Sequence, residues 1–214
     1  MAETASDDLD LVIKTLATTI VDNADYFAQL DAVAGDGDFG YSLRNGFEVV
    51  SADYDTFDKS SVGAVLKKIG FVLTGKVGGV SGPIWGTAFM RAAAAAGDKT
   101  ELTSDDIIAV LRAAIEGIKH RGDSDVGDKT LLDALVPAVD SLEASFAAGE
   151  DGSTALQKAA DVAVAAAADT LGMLAKRGRA AYTGDRSRDS VDAGATAVGV
   201  ILQAISAAWR DAHN

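Results

Sequence analysis

The chain has no cysteine among its 214 residues, only two prolines, and few aromatic residues, which make up 6% of the total. Without cysteine, neither disulfide bonds nor thiolate metal sites are available. With so few aromatic side chains, the core must consist mainly of Ala, Val, Leu and Ile, and small side chains let helices approach closely. The chain also lacks the alternation of β-branched residues that is typical of strands. We therefore expect a closely packed helical protein.

Basic residues are also scarce. The chain has 19 Lys and Arg against 32 Asp and Glu, which gives a formal net charge of −13. This balance argues against a nucleic-acid partner, because phosphate backbones require a basic protein surface. An anionic ligand would have to be bound by a local device, which is a metal ion, a helix N-terminus or a few arginines.

No segment has the pattern of a membrane or export signal. The first ten residues, MAETASDDLD, are acidic and polar, unlike a signal peptide. Alanine runs such as 92–96 are too short to span a bilayer. We therefore expect no membrane contact and a cytoplasmic location.

Apolar residues recur at helical spacing along most of the chain, as in Leu9, Val12, Ile13, Leu16 and Ile20. No fixed-period repeat or low-complexity linker divides the sequence, which predicts a single all-α domain over residues 1–214. We expect an antiparallel up-and-down bundle of eight helices. Their predicted boundaries are 7–30, 40–54, 60–75, 83–96, 104–121, 129–148, 153–177 and 193–212.

Four connections between these helices are rich in glycine and charged residues, namely 31–40, 75–83, 120–130 and 178–196. They are every second connection, and alternate connections of an up-and-down bundle lie at the same end. Each also leads into a helix N-terminus, whose free amides and dipole attract anions. The sequence therefore predicts a phosphate site at one rim of an acidic protein.

The first of these loops has three carboxylates within eight residues, at Asp31, Asp36 and Asp38. The glycines between them allow sharp turns, and Mg²⁺ is usually bound by carboxylates, waters and substrate phosphates. A calcium-binding EF-hand fits poorly, because the twelfth position counted from Asp36 is Phe47, where an acid is needed. The alternative is an Asp/Gly turn that only caps the next helix, and the residues alone leave both interpretations open.

The second loop has four small residues within residues 78–82, ahead of Pro83. This pattern favours a phosphate-binding turn at a helix start, but an ordinary glycine-rich turn has the same composition. The third loop is similar to a Walker A sequence over residues 122–130. In this loop, however, Asp128 separates the second glycine from Lys129, and the preceding segment is helical. A P-loop is therefore rejected.

The last loop has a local excess of positive charge. Its basic side chains are Lys176, Arg177, Arg179, Arg186 and Arg188. Such a cluster facing the aspartate loop favours phosphate clamping and charge neutralisation. The alternative is a mobile surface loop with ordinary ion pairs. The two histidines, His120 and His213, are assigned no catalytic role.

Together these loops resemble the L-subunit family of dihydroxyacetone kinases (DhaL), which also occurs as the C-terminal nucleotide domain of single-chain dihydroxyacetone kinases. The similarity extends from Asp31 to Ala197. It rests on five motifs in the family order: GDGDFG, GGVSGPIWGTAF, RGDSDVGDKTLLDALVP, KRGRAAYTGDRS and DAGAT. The set is highly specific, although no single motif is.

The resemblance implies an eight-helix antiparallel barrel that binds ADP or ATP at one rim, with two Mg²⁺ ions on Asp31, Asp36 and Asp38. In the family, the histidine that anchors the substrate belongs to a separate K-type subunit, which explains why this chain needs no catalytic histidine. An M-type phosphotransferase-system subunit is a further partner if bound ADP is rephosphorylated, and a homodimer stays open. The implied nucleotide contacts are Phe39, Gly40, Ser42, Val80, Ser81, Gly122, Leu131, Arg179, Asp192 and Gly194.

Three departures from the family pattern bear on the site. The family reads GDxDHGxNM where this chain reads GDGDFGYSL, so Phe39 replaces a histidine and Ser42 an asparagine. Ala193 replaces the common proline of DPGAT. The replaced histidine and asparagine could donate hydrogen bonds near the phosphates. Their loss is expected to change the preferred phosphoryl donor, the reaction rate or the sugar substrate more than nucleotide binding.

Two functions follow from the resemblance. One is a phosphoryl-transfer subunit for dihydroxyacetone or a related ketose such as a tetrulose, and the other is a non-catalytic nucleotide-binding regulator. The complete set of metal-binding aspartates favours the first function, while Phe39 keeps the second open. The sequence does not distinguish ATP from a phosphotransferase-system donor.

Overall fold

The computed structural model describes residues 5–213, with side chains from residue 7 onward. Within these residues all regular structure is helical, and the predicted all-α class is confirmed. Two 3₁₀ segments occur, at Tyr54–Thr56 and Arg179–Asp189. The α-helices are α1 (Ala5–Asp22), α2 (Ala24–Ala34), α3 (Phe39–Asp53), α4 (Val62–Lys76), α5 (Ser81–Ala96), α6 (Ser104–Gly122), α7 (Leu132–Ala147), α8 (Gly152–Ala168) and α9 (Ala193–His213).

The first predicted helix, 7–30, is two helices in the structure, so the predicted count of eight is too low by one. Asn23 separates α1 from α2, with φ −100° and ψ 11°. Its side-chain amide donates to the carbonyl oxygen of Thr19 at 2.8 Å, and asparagine competes in this way with the backbone bonds of a helix. The apolar periodicity does not reveal the break because it continues on both sides of Asn23.

The seventh predicted helix, 153–177, ends earlier than predicted, at Ala168. The fully buried Thr170 accounts for this end. Its hydroxyl donates to the carbonyl oxygen of Ala167 at 2.6 Å and accepts from the amide of Asp192 at 2.8 Å. The end of α8 is thereby tied to the start of α9, and residues 169–192 form a long connection across the rim.

The helices close into a ring. From α2 onward each helix packs against the next along the chain, and α9 returns to pack against α1. The interior is mainly apolar, and the half formed by α7, α8 and α9 is rich in alanine, as expected from the low aromatic content. Fully buried residues in the two halves include Leu43, Phe47, Ile69 and Leu73, and Leu132, Ala134, Ala159 and Ala163.

No single helix in the described part of the chain is long and apolar enough to cross a membrane. One bent pair meets the length and composition criteria when taken together, namely the 3₁₀ segment Arg179–Asp189 and α9, which meet at 77°. The apolar side chains of α9, such as Val198 and Ile201, are buried in the protein core.

Gly40, in the first turn of α3, allows this helix to pack directly on α2. A Cβ atom at this position would lie 1.9 Å from the carbonyl oxygen of Ala24 and 2.7 Å from the amide nitrogen of Ala28. Both are backbone atoms, so they cannot move aside without a shift of α2. A larger residue at position 40 is therefore expected to force the two helices apart.

We expect Gly40→Ala to lower the melting temperature by about 2–12 °C, because overpacking costs about 1–3 kcal/mol and 1 kcal/mol corresponds to about 2–4 °C at this chain length. The matched control is Gly75→Ala in α4, where no atom lies within 4 Å of the added Cβ. That variant should be unchanged or slightly more stable. Thermal unfolding followed by circular dichroism is the measurement, and equal melting temperatures for both variants would contradict the packing role of Gly40.

Candidate functional site

The four glycine-rich connections line one cavity of about 440 Å³. Asp36 comes from the α2–α3 connection, Gly79 from α4–α5, Ser124 from α6–α7 and Arg179 from α8–α9. The volume is within the range of about 300–1,000 Å³ that is typical of small-molecule pockets. The convergence expected from the alternation of these loops is therefore present in the fold.

The aspartate loop forms one side of this cavity. One carboxylate oxygen from each of Asp31, Asp36 and Asp38 lies within 4.8 Å of the others. The amide of Gly37 donates to Oδ2 of Asp31 at 2.8 Å, which fixes that carboxylate. Gly35 is required beside it, since a Cβ there would lie 2.3 Å from Oδ1 of Asp31.

The three carboxylates fit a hard divalent cation. Burial raises the pKa of Asp38, and the negative charge of Asp31 raises it further. Both effects disfavour the charged form of Asp38, and a cation beside the cluster would oppose them. Clustered carboxylate oxygens are the donor set that Mg²⁺ prefers, so these residues could hold such an ion.

Arg179 reaches the aspartate loop from the opposite side of the cavity. Its Nη1 forms ion pairs with Oδ2 of Asp36 and, at 2.9 Å, with Oδ2 of Asp38. Its Nη2 lies 3.6 Å from the place that a Cβ of Gly79 would occupy. The guanidinium therefore stands between the aspartate loop and the turn that precedes α5.

Four helices begin at the cavity wall. The residues that mark these starts are Phe39 for α3, Ser81 for α5, Leu131 for α7 and Ala193 for α9. Helix N-termini have unpaired amides and a partial positive charge, and both attract anions. The cavity thus has one side suited to a cation and another suited to an anion, in a chain whose net charge is −13.

Residues 33–207 of the chain match the DAK2 domain. The chain belongs to this family. It is 36% identical over 188 residues to the ADP-binding subunit DhaL of the PEP-dependent dihydroxyacetone kinase of Escherichia coli, which covers 88% of this chain and 90% of that one. It is 33% identical to the ADP-binding subunit DhaL of the PEP-dependent dihydroxyacetone kinase 2 of Listeria innocua, over 91% of this chain and 90% of that one. The resemblance to the L-subunit family is confirmed.

The DAK2 region also occurs within longer proteins. The crystal structure of the dihydroxyacetone kinase from C. freundii in complex with AMP-PNP and Mg²⁺ has the same fold, with a TM-score of 0.70 at 24% identity. The match covers 92% of this chain and 33% of that chain. The D-erythrulose kinase of Mycolicibacterium smegmatis is 34% identical over 89% of this chain, which corresponds to 33% of that protein.

In this DAK2 domain, the predicted contact residues form two groups. Gly40 and Ser42 lie behind the cavity wall, where Gly40 packs on α2. The hydroxyl of Ser42 lies 3.1 Å from the place that a Cβ of Gly78 would occupy, and it thus supports the α4–α5 turn from below. For the other group, direct contact with a nucleotide stays a prediction. Those residues line the cavity and are Phe39, Val80, Ser81, Gly122, Leu131, Arg179, Asp192 and Gly194.

Only part of the basic cluster faces the cavity. Arg177 lines it and pairs with Asp128, whose Oδ2 lies 3.5 Å from Nε. Arg188 instead pairs with Asp185 at 3.3 Å and donates to the carbonyl oxygen of Gly172 at 2.7 Å. Arg188 therefore serves the connection itself.

Lys129 is a structurally important residue that the sequence did not predict. It is 4% exposed and stands at a φ of +61°, a region that side chains other than glycine rarely adopt. Its Nζ donates to the carbonyl oxygens of Ser187, of Met173 at 3.2 Å and of Ser190 at 2.6 Å. Burial lowers the pKa of Lys129. The ammonium thus fixes both ends of the connection that carries Arg179.

Asp133 fixes the neighbouring α6–α7 connection. This buried carboxylate accepts from the amide of Gly127 at 2.6 Å and from the amide of Thr130 at 2.7 Å. The turn before α7 is thereby closed around a side chain of the helix that it precedes. Lys129 lies within this turn, so Asp133 also determines where its ammonium is.

Asp192 is the titratable group with the largest shift in the cavity wall. Burial raises the pKa of Asp192 to about 7, and the charge of Asp133 adds to the effect. The amide of Ala195 opposes it by donating to Oδ1 at 2.7 Å. Because the folded-state pKa lies above the ordinary value of 3.8, the folded protein loses stability as the pH rises from about 4 to 7.

We expect Asp192→Asn to be more stable than the parent protein at pH 8, by up to about 4 kcal/mol, and equally stable near pH 4. Asparagine keeps an oxygen for the amide of Ala195 and removes the charge. The control is Asp151→Asn at the exposed start of α8, because the amide of Thr154 lowers the pKa of Asp151 and the substitution should cost stability at pH 8. Thermal melts in EDTA are the measurement, and a loss of stability in both variants would contradict the effect of burial.

Proposed function

We propose that the chain is the nucleotide-binding subunit of a kinase for dihydroxyacetone or a closely related ketose, and that it acts on a substrate held by a separate K-type subunit. It binds ADP or ATP with two Mg²⁺ ions. The observation that carries the proposal is the meeting of three carboxylates, four helix N-termini and Arg179 in one cavity. The names of the E. coli and L. innocua relatives, both ADP-binding subunits of dihydroxyacetone kinases, support it.

The division of labour follows from charge. A polyphosphate is repelled by three carboxylates unless a cation lies between them. Asp31, Asp36 and Asp38 would hold Mg²⁺ there, and the ion would supply positive charge that neutralises the transferred phosphoryl group. Asp31 holds one donor in a fixed place, and Asp36 and Asp38 complete the set. Arg179 and the amides at the start of α5 bind the remaining phosphate oxygens, so that this subunit contributes positioning and electrostatic stabilisation.

ADP is the nucleotide that we propose to stay bound between turnovers. The E. coli and L. innocua relatives are named PEP-dependent, and the match covers 90% of each. The D-erythrulose kinase of M. smegmatis is about three times longer than its matching region. By analogy with the PEP-dependent relatives, we propose an M-type phosphotransferase-system subunit that rephosphorylates the bound ADP.

A second candidate function is a non-catalytic nucleotide-binding regulator, and Phe39 is the observation that favours it. The ring of Phe39 lines the cavity and packs on Phe27, with ring centroids 6.3 Å apart. Phenylalanine offers no hydrogen bond to a phosphate. Product formation from a ketose, a K-type subunit and a phosphoryl donor separates the two functions, since a regulator gives none.

We expect the purified protein to bind ADP only in the presence of Mg²⁺, because the carboxylates repel the free nucleotide. Isothermal titration calorimetry with Mg²⁺ and with EDTA is the measurement. Asp38→Asn should abolish this binding or weaken it by more than about tenfold, since one metal donor loses its charge. Asp98→Asn, on the exposed α5–α6 connection, is the control and should bind like the parent. Undiminished affinity in EDTA would refute the metal bridge.

We expect Phe39→His alone to leave turnover unchanged or to lower it, because the ring at position 39 packs on Phe27 as part of the core. A missing donor that simply cost activity would instead be restored by histidine, with a gain of about ten- to a hundredfold. The measurement is a double-mutant cycle of Phe39→His and Ser42→Asn on turnover with a fixed K-type subunit. A large gain from the single variant would show that the cavity has not been rebuilt around the phenyl ring.

A further inference from the structure

Arg179 occupies the oxygens that a cation would need. Its guanidinium contacts Oδ2 of Asp36 and Oδ2 of Asp38, and these two residues belong to the carboxylate cluster with Asp31. A guanidinium stays charged at all ordinary pH values, so deprotonation cannot remove it. A divalent cation must therefore displace Arg179 from these oxygens or share them with it.

Arg179 also lies close to a second site at which its positive charge could act, the turn that leads into α5. Its side chain is 49% exposed, so it is free to move on the cavity side. Its Nη2 already lies beside Gly79, in the turn that leads into α5. A phosphate at the start of α5 would thus be within reach of the same guanidinium by a change of rotamer, with no movement of the backbone.

The backbone that carries Arg179 is fixed on either side. Lys129 binds the carbonyl oxygens of Met173 and Ser190, which flank the 3₁₀ segment. The amide of Ala175 donates to the hydroxyl of Ser187 at 3.0 Å, which joins the chain just before the segment to the last turn of the segment. The side chain can therefore change partner while its Cα stays in place.

We propose that Arg179 is an exchangeable counter-ion, which neutralises Asp36 and Asp38 while the cavity is empty and moves to phosphate oxygens when metal and nucleotide enter together. This inference rests on the proposed function. The exchange makes the two ligands interdependent. A cation alone must displace Arg179 without giving it a new partner, whereas a cation with a nucleotide supplies that partner. By linkage, the nucleotide then strengthens cation binding by the same factor as the cation strengthens nucleotide binding.

Arg179→Gln should therefore change two affinities in opposite directions. Without nucleotide, the variant should bind Mn²⁺ about two- to tenfold more tightly than the parent, because two half-exposed ion pairs no longer compete. With saturating Mn²⁺, it should bind ADP about ten- to a hundredfold more weakly, because a charged hydrogen bond to phosphate is lost. A residue that only clamps phosphate would change the second affinity and leave the first unchanged.

The experiment is a calorimetric titration with Mn²⁺ alone and with ADP in the presence of Mn²⁺, on the full chain. The control is Arg188→Gln, which removes the same charge from the same connection but lies outside the cavity lining and pairs with Asp185. It should leave the affinity for Mn²⁺ alone unchanged. Circular dichroism in EDTA establishes that each variant is folded. Arg179→Lys keeps the positive charge and should restore part of the competition with Mn²⁺.

Opposite shifts in Arg179→Gln, absent from Arg188→Gln, support the exchange. An unchanged or weaker affinity of Arg179→Gln for Mn²⁺ alone overturns it, and so does an equal gain in Arg188→Gln, which would indicate only a long-range charge effect. If the parent binds ADP with Mn²⁺ in either of these cases, the proposed function stands without the exchange. A parent protein that binds no ADP with any divalent cation overturns the proposed function and the exchange together.

Discussion

The other features of the rim depend on the repulsion among the three carboxylates of the aspartate loop. Their oxygens lie within 4.8 Å of one another, and like charges at that distance repel one another. The structure relieves part of this charge through the amide of Gly37 on Asp31 and the guanidinium of Arg179 on Asp36 and Asp38. Neither the amide of Gly37 nor the guanidinium of Arg179 concentrates positive charge as strongly as a divalent cation does. On the proposed function, an acidic chain would in this way accept anions only together with metal.

The position of Arg179 depends on the buried positive charge of Lys129. The connection after α8 contains little regular structure apart from its 3₁₀ turns. Lys129, from the α6–α7 connection, donates hydrogen bonds to three carbonyl oxygens of this connection. Asp133 in turn shapes the loop from which that lysine comes. Two connections that are remote in sequence thus form one unit, in which the order of the α6–α7 turn determines where the arginine can act.

Local sequence patterns predicted the structural features that depend on residues close together in the chain. The helices follow from apolar periodicity, and the carboxylate cluster follows from three aspartates spaced by glycines. The role of Lys129 was not predictable, because its acceptors lie 44 and 61 residues away at Met173 and Ser190. The places of Gly40 and Ser42 behind the wall depend likewise on contacts with α2 and with the α4–α5 turn. The break at Asn23 was not predicted, because a side-chain hydrogen bond produces it without a change in the apolar periodicity.

The closure of the ring by α9 against α1 has a consequence for how this fold is joined to others. Near the two ends of the described chain, Nε2 of His213 lies 3.1 Å from Oδ1 of Asp8. Because α9 starts at the cavity and its 21 residues span about 30 Å, these ends meet far from the cavity. A linker, a fused domain or a circular permutation joining them would leave the cavity untouched. The same architecture can therefore be a separate polypeptide or about one third of a longer one, as in the erythrulose kinase of M. smegmatis.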